Sequence, residues 1–346
     1  GNLTLTDVTI QNNGNLTTTT QGGGLRNTAN ATLNRVTISG NRADVGGGVH
    51  NDFGTGNSMT LTNVTLSGNS AQSTGGGIYT RDNITVLNST ITLNTSDTAG
   101  GIRTQTSSAN LQNTIVAGNT GVSANPDLAG TFVSSGNNLI GNGTGQSGLI
   151  NNVNSDKVGT GATPIDPLLG SLQNNGGLTF THALLTGSTA IDAGTTTGAP
   201  TTDQRGIFRV GLVDIGAYEY VPTLAQTGEL AVNGTTGQSQ ETSGSTRGST
   251  QAVSITPSGN YVVVWTSNQS TGGDANGRGV LMRTFRPDGT PLTAEIQVNQ
   301  TTTNDQQWAT VSTDDAGNGI VVWTSTAQDN GSTTGVYARR FNATGS

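Results

Sequence analysis

Short alternations of apolar and polar residues, such as Leu3-Thr4-Leu5 and Met59-Thr60-Leu61, recur along the first third of the chain. A two-residue period belongs to a strand with one buried face. Abundant β-branched residues and glycine disfavour helix. Leu5, Leu33, Leu61, Val86 and Leu111 form one column, spaced by 28, 28, 25 and 25 residues. Five positions later stand Ile10, Ile38, Leu66, Ile91 and Val116, with Val8, Val36 and Val64 between the columns in three repeats. A period in the twenties marks a solenoid.

A second segment in each repeat is signalled by Gly22-Gly23-Gly24-Leu25, Gly46-Gly47-Gly48-Val49, Gly75-Gly76-Gly77-Ile78 and Gly100-Gly101-Ile102. Glycines there turn the chain and let neighbouring coils approach before one aliphatic side chain enters the core. Three short strands per coil, each pairing with its counterpart in the next, predict a parallel β-helix over residues 1–135. Identical residues then stack at about 4.8 Å. The column Asn13, Asn41, Asn69, Asn94 and Asn119 becomes an amide ladder that fixes the register, a structural rather than a catalytic set.

Two threonine columns, Thr4, Thr32, Thr60, Thr85 and Thr9, Thr37, Thr65, Thr90, are expected to face water. Asn110 and Ile115 break them in the fifth coil, which weakens a reading as a threonine array for ice or glycan hydroxyls. The variable column Asp7, Arg35, Asn63, Asn88 and Asn113 reads as a solvated turn with one salt bridge of little energetic weight.

After Asn119 the simple repeat fades. An ordered set of motifs follows: Gly136-Asn137-Asn138-Leu139-Ile140-Gly141, Asp166-Pro167-Leu168-Leu169-Gly170, Asn175-Gly176-Gly177 and Thr181-His182-Ala183-Leu184-Leu185. It continues with Ser188-Thr189-Ala190-Ile191-Asp192-Ala193-Gly194, Thr202-Asp203-Gln204-Arg205-Gly206 and Asp214-Ile215-Gly216-Ala217-Tyr218-Glu219. Over roughly residues 110–220 the set resembles the choice-of-anchor Q domain, which follows β-helix repeats in large secreted bacterial proteins. The resemblance implies a right-handed, pectin-lyase-like β-helix on a secreted or surface-attached protein; it does not imply an enzyme activity. Residues 136–220 are expected to cap the solenoid, because a bare β-edge invites pairing with other chains. Asp192, Asp203, Arg205 and Asp214 are expected to pin the loops of that cap.

Residues 221–228 read as a linker, and 229–346 as two β-repeat units, the second incomplete. Asn260-Tyr261-Val262-Val263-Val264-Trp265-Thr266-Ser267 matches Asn318-Gly319-Ile320-Val321-Val322-Trp323-Thr324-Ser325. Gly279-Val280-Leu281-Met282-Arg283-Thr284-Phe285 matches Gly335-Val336-Tyr337-Ala338-Arg339-Arg340-Phe341. Turn signals between strand runs predict antiparallel propeller-blade-like repeats or small sandwiches, with Trp265 and Trp323 in packing roles. They resemble tandem repeats of secreted bacterial and cyanobacterial proteins. The fold class is therefore all-β: a parallel β-helix with an irregular cap, then antiparallel β-repeats.

Composition narrows the partners. The net charge is −7, with 14 Lys and Arg and no basic run longer than Arg339-Arg340, which argues against nucleic acid and anionic membrane surfaces. No apolar run reaches the length of a spanning helix, so membrane insertion is not expected. The chain opens on Gly1 inside a repeat, as a processed chain or a fragment would, and it has no cysteine. The carboxylates Asp7, Asp44, Asp52, Asp82 and Asp97 occupy unrelated repeat positions, so no acidic pair for glycan cleavage is expected. His50 and His182 have no partner at recognisable spacing, and His50 holds a variable position read as exposed. No cofactor is called for. Calcium would suit Asp274-Ala275-Asn276-Gly277 and Asp329-Asn330-Gly331, but turn formation explains both loops as well.

The expectation is thus a non-enzymatic extracellular structural or adhesive protein of a bacterial surface. Its partners would be copies of itself, through β-edges into a filament or sheath, or cell-surface and matrix glycans. The alternatives are a polysaccharide lyase or glycoside hydrolase on a β-helix, and a threonine-array binder.

Overall fold

The computed structural model describes residues 2–16, 20–52, 58–124, 126–209, 211–221, 230–234, 240–242, 251–256, 259–268, 277–287, 289–314, 316–328, 333–343 and 345. The two loops considered for calcium lie outside these residues except for Gly277, as does all of the linker but Val221. Every regular element among the described residues is a strand. The chain divides into two compact units, 1–220 and 221–346.

The first unit begins as a parallel β-solenoid of about five turns. On its first face Leu5, Leu33, Leu61, Val86 and Leu111 are successive register partners. On its second face the column Ile10, Ile38, Leu66, Ile91 and Val116 continues through Ile140 and Val158. A further face stacks Leu25, Val49, Ile78, Ile102 and Leu128. These side chains form one continuous core. The coil has four strand segments rather than three, because Arg42–Val45, Ser70–Thr74, Thr95–Thr98 and Thr120–Ala124 form their own parallel sheet. That segment carries little apolar patterning and so gives no periodic signal.

Left-handed backbone turns the corners. Asp7, Arg35, Asn63, Asn88 and Asn113 all have φ between 44° and 58°, a region in which asparagine is among the better tolerated residues. At the next corner Gly40, Gly68 and Gly118 have φ of 65–70°, and Leu93 holds the same place at 58°. The second glycine of each triplet answers to space: a Cβ on Gly76 would collide with the Thr95 carbonyl of the next coil.

Residues 169–220 do not simply close the end of the solenoid. They fold back along its second face. Asn137 Nδ2 donates to the Ala193 carbonyl, Asn113 Nδ2 to Thr195 and Asn63 Nδ2 to Thr202, each at 2.8 Å. Thr37 Oγ1 donates to the Phe180 carbonyl at 2.6 Å. Thr37, Thr65 and Thr90 are consequently buried, correcting the expectation that they face water, whereas Thr4, Thr32 and Thr85 are exposed. Asn63, Asn88 and Asn113 are buried for the same reason, and only the Asp7 and Arg35 end of that column is a partly open turn with a salt bridge at 2.7 Å. Where Ile115 interrupts the threonine column, an apolar cluster joins Ile115 and Leu139 to Leu184, Ala190 and Ile215.

In the second unit, Val253–Ile255, Tyr261–Ser267, Gly279–Phe285 and Ile296–Gln297 pair antiparallel in one sheet. Gln306–Thr313, Gly319–Thr326 and Thr334–Phe341 form a second. Val262, Val264, Val280 and Met282 of the first pack on Ala309, Val311, Val321, Trp323 and Phe341 of the second.

Candidate functional site

The polar interior of the solenoid is built from side chains that bond along the stacking direction. Asn13 Nδ2 donates to Asn41 Oδ1, Asn41 to Asn69, Asn69 to Asn94 and Asn94 to Asn119, all at 2.9–3.0 Å. Each acceptor oxygen also takes the backbone N–H of the residue that donates to it, as with Asn41 N to Asn69 Oδ1 at 3.0 Å. Asn119 donates in turn to Asp127 Oδ1 at 2.8 Å, and Asp127 Oδ2 accepts the Asn142 N–H at 2.7 Å. A second column ends in the same way, with Thr114 N donating to Asn138 Oδ1 at 3.1 Å and Asn138 to Asp156 Oδ1 at 2.9 Å. A carboxylate accepts without donating, so it terminates an amide chain that needs no further acceptor. Burial raises the Asp127 carboxyl above its ordinary value, against the pull of the Asn119 and Asn142 donors. Neither aspartate is marked by the repeat, since the coil length changes before each.

The covered second face gathers most of the buried titratable chemistry. His182 Nε2 meets Ser67 Oγ at 2.8 Å and its Nδ1 meets the Gly170 carbonyl at 2.6 Å. The carbonyl can only accept, so Nδ1 carries the proton and Nε2 accepts from the serine hydroxyl. This partner, 115 residues away, is invisible to sequence spacing. Burial lowers the His182 pKa and keeps the ring neutral. A serine and a neutral imidazole at this distance have the geometry of a general-base pair. Both residues are buried, and the Ser67 carbonyl accepts the Gly40 N–H within the solenoid, so the pair ties residues 169–184 to the coil.

Beside it lies an ionic network. Asp203 accepts the N–H groups of Arg205, Ile207 and Glu219 at 2.8, 3.0 and 3.0 Å, and the Arg205 guanidinium at 2.7 Å. Arg205 stacks over the Tyr218 ring at 3.6 Å. Arg209 pairs with Glu219 at 3.0 Å and reaches Asn63 Oδ1 on the solenoid at 3.0 Å. Asp214 accepts the N–H groups of Asp192 and Tyr220; burial is the main cause that pushes its pKa up to about 6. Asp203, Arg205 and Asp214 thus hold loops together through their side chains, while Asp192 contributes its backbone. Arg209, Glu219 and Gln204 complete the arrangement; Gln204 bridges Thr37 at 3.0 Å and Thr65 at 2.6 Å.

His50 is 1% exposed, not at the surface as expected, and its ring stacks on Tyr79 with centroids 5.0 Å apart. Burial is the main cause that lowers its pKa. The flanking Asp52 pairs with Arg26 at 2.7 Å and lies 3.6 Å from Arg81, which places the exposed charges of this face in an ion cluster. In the second unit a cavity of about 220 Å³ is lined by Val232, Gln240, Glu241, Val263 and Trp265 among others. The Trp265 indole donates to Gln240 Oε1 at 2.8 Å. Among the described residues no three His, Cys, Asp or Glu side chains are grouped to hold a metal ion.

No protein-family model, curated protein or solved structure matches the chain.

Proposed function

We propose that the chain is a non-enzymatic extracellular structural or adhesive protein of a bacterial surface. The observation that carries this reading is the fate of the catalytic side-chain types. Ser67, His182, Asp203 and Glu219 are buried and the Arg205 and Arg209 side chains nearly so; Ser67–His182 and Arg209–Asn63 fasten residues 169–220 to the solenoid, and the rest hold the loops of that segment together. A hydrolase or lyase acting on glycans needs acids, bases or a metal open to a long substrate. The negative net charge argues against nucleic acid and an anionic membrane surface as partners.

The decisive assay incubates the protein with pectins, alginates and cell-wall glycans, and follows reducing ends and unsaturated products. Retention on a glycan without cleavage, or filaments in electron micrographs, accords with the proposal. Turnover that disappears on changing one carboxylate overturns it.

A further inference from the structure

In the first repeat of the second unit, the cavity of about 220 Å³ has Val232, Asn233, Gln240, Glu241, Val263 and Trp265 in its wall. The wall is fastened from behind. The Val232 carbonyl accepts Arg283 Nη1 at 3.2 Å, the Gly234 N–H donates to Glu295 Oε1, and Gln240 and Glu241 pair with Ser267 and Thr266 in the sheet. The Trp265 indole donates to Gln240 Oε1 at 2.8 Å, which settles which end of that amide is oxygen and which is nitrogen. Gln240 Nε2 is then buried with no hydrogen-bond partner among the described residues. A buried donor left in that state is costly, and a ligand oxygen that drew the amide toward the cavity would supply its acceptor.

The second repeat has the same position closed. Glu229-Leu230-Ala231-Val232-Asn233 aligns with Glu295-Ile296-Gln297-Val298-Asn299, and Gln240 and Gln306 pair with the equivalent Ser267 and Ser325. Gln306 accepts from Asn299 Nδ2 at 2.9 Å, donates to the Thr303 carbonyl at 2.9 Å and is fully buried. Both ends of that amide are used, whereas Gln240 uses only its acceptor. The next position differs in charge, Glu241 in the first repeat and Gln307 in the second. The Glu241 side chain is 41% exposed, and Arg278 Nη1 lies 3.7 Å from its Oε2, which offsets the charge and leaves the carboxylate accessible.

We propose that this cavity binds one ring of a neutral sugar, carried at the end of a cell-surface or matrix glycan. The polar wall calls for a ligand that accepts from Gln240 and donates to the Glu241 carboxylate, and a pair of hydroxyls does both. Like charge at Glu241 disfavours a uronate, and the pairing of Glu241 with Arg278 disfavours a cation. Val232, Val263 and Trp265 supply the apolar wall for the C–H face of a sugar ring. Sites for drug-sized ligands run to about 300–1,000 Å³, so this one suits a single ring rather than an oligosaccharide. The proposal rests on the adhesive form of the structural reading.

The test titrates the full chain with glucose, galactose, mannose and N-acetylglucosamine, and with glucuronate and benzyl alcohol as an acidic sugar and an apolar ring. Isothermal calorimetry and ligand-observed NMR read the binding. At least one neutral sugar is expected to saturate in the millimolar range, as suits a ligand of about a dozen non-hydrogen atoms. Glu241→Gln, which installs the residue that the second repeat has there, should weaken it about tenfold or more. Gln240→Glu keeps an acceptor for the Trp265 indole but replaces the unpartnered donor, and should weaken it at least as much; Glu241→Gln decides the matter if circular dichroism shows that Gln240→Glu does not fold. No saturable binding by any of the four sugars overturns the proposal, as does equal or tighter binding of glucuronate or benzyl alcohol, or unchanged affinity in Glu241→Gln. Those results leave the non-enzymatic reading to the turnover assay, and a sugar that is held here while glycans are cleaved would overturn that reading and leave this site standing.

Discussion

Replacing Asn69 by leucine removes the middle of the amide ladder, and the structure allows its cost to be worked out. Asn69 is fully buried. Its Oδ1 accepts Asn41 N at 3.0 Å and Asn41 Nδ2 at 2.9 Å, and its Nδ2 donates to the Ile38 carbonyl and to Asn94 Oδ1, both at 2.9 Å. Leucine is close in volume but bonds to none of them. Asn94 Oδ1 keeps the Asn69 backbone N–H, so three groups lose a partner: Asn41 N, one Asn41 Nδ2 hydrogen and the Ile38 carbonyl. An unsatisfied buried group costs about 1–3 kcal/mol, and partial relaxation brings the total to about 3–5 kcal/mol. At the exposed end of the ladder, Asn13→Leu removes only the Nδ2 bond to Asn41, a loss of about 0.5–1.5 kcal/mol. Urea unfolding of both variants, compared at equal m value, measures the difference. Equal costs, or a cost below about 1 kcal/mol for Asn69→Leu, would refute the claim that the buried amides hold the register.

The other predictions concern the corner, the tether and its charges. Leu93 is 56% exposed at φ 58°, where other coils have glycine; Leu93→Gly should relieve left-handed strain and stabilise the protein by up to about 1 kcal/mol, read as a higher melting temperature. Arg209→Leu strips the cation from buried Glu219 and the contact to Asn63, and should cost about 3–5 kcal/mol and make residues 169–220 more sensitive to protease. His182 has its pKa lowered in the fold, so the native state binds fewer protons than the unfolded chain; the stability it contributes is present above about pH 6.5 and declines as pH falls below it. The cost of His182→Gln should therefore be smaller at pH 5 than at pH 7.5 in urea titrations. Asp214 acts in the opposite sense: its pKa of about 6 lies above the unfolded value, so its contribution is present below about pH 4 and is lost as pH rises through 6, a slope that Asp214→Asn should remove.

The sequence alone determined the parallel coil, the identity of its core columns and the register between coils. Each depends on residues that meet their own counterparts one period later, so spacing in the chain is also spacing in space. The antiparallel repeats were legible for a related reason: turn signals separate β-rich runs that pair with near neighbours. The tertiary structure decided which outer face is covered. Thr37, Thr65 and Thr90 read as solvent-facing because alternation separates the two sides of a strand but does not say whether another segment lies across one side. Residues up to 167 positions away supply that cover, through Gln204, Phe180 and Ala217. The Ser67 and His182 pair, the ladder-ending Asp127 and Asp156, and the Arg209 contact to Asn63 were hidden likewise. Each joins parts of the chain that share no period, and only the folded chain brings them within a hydrogen bond's length.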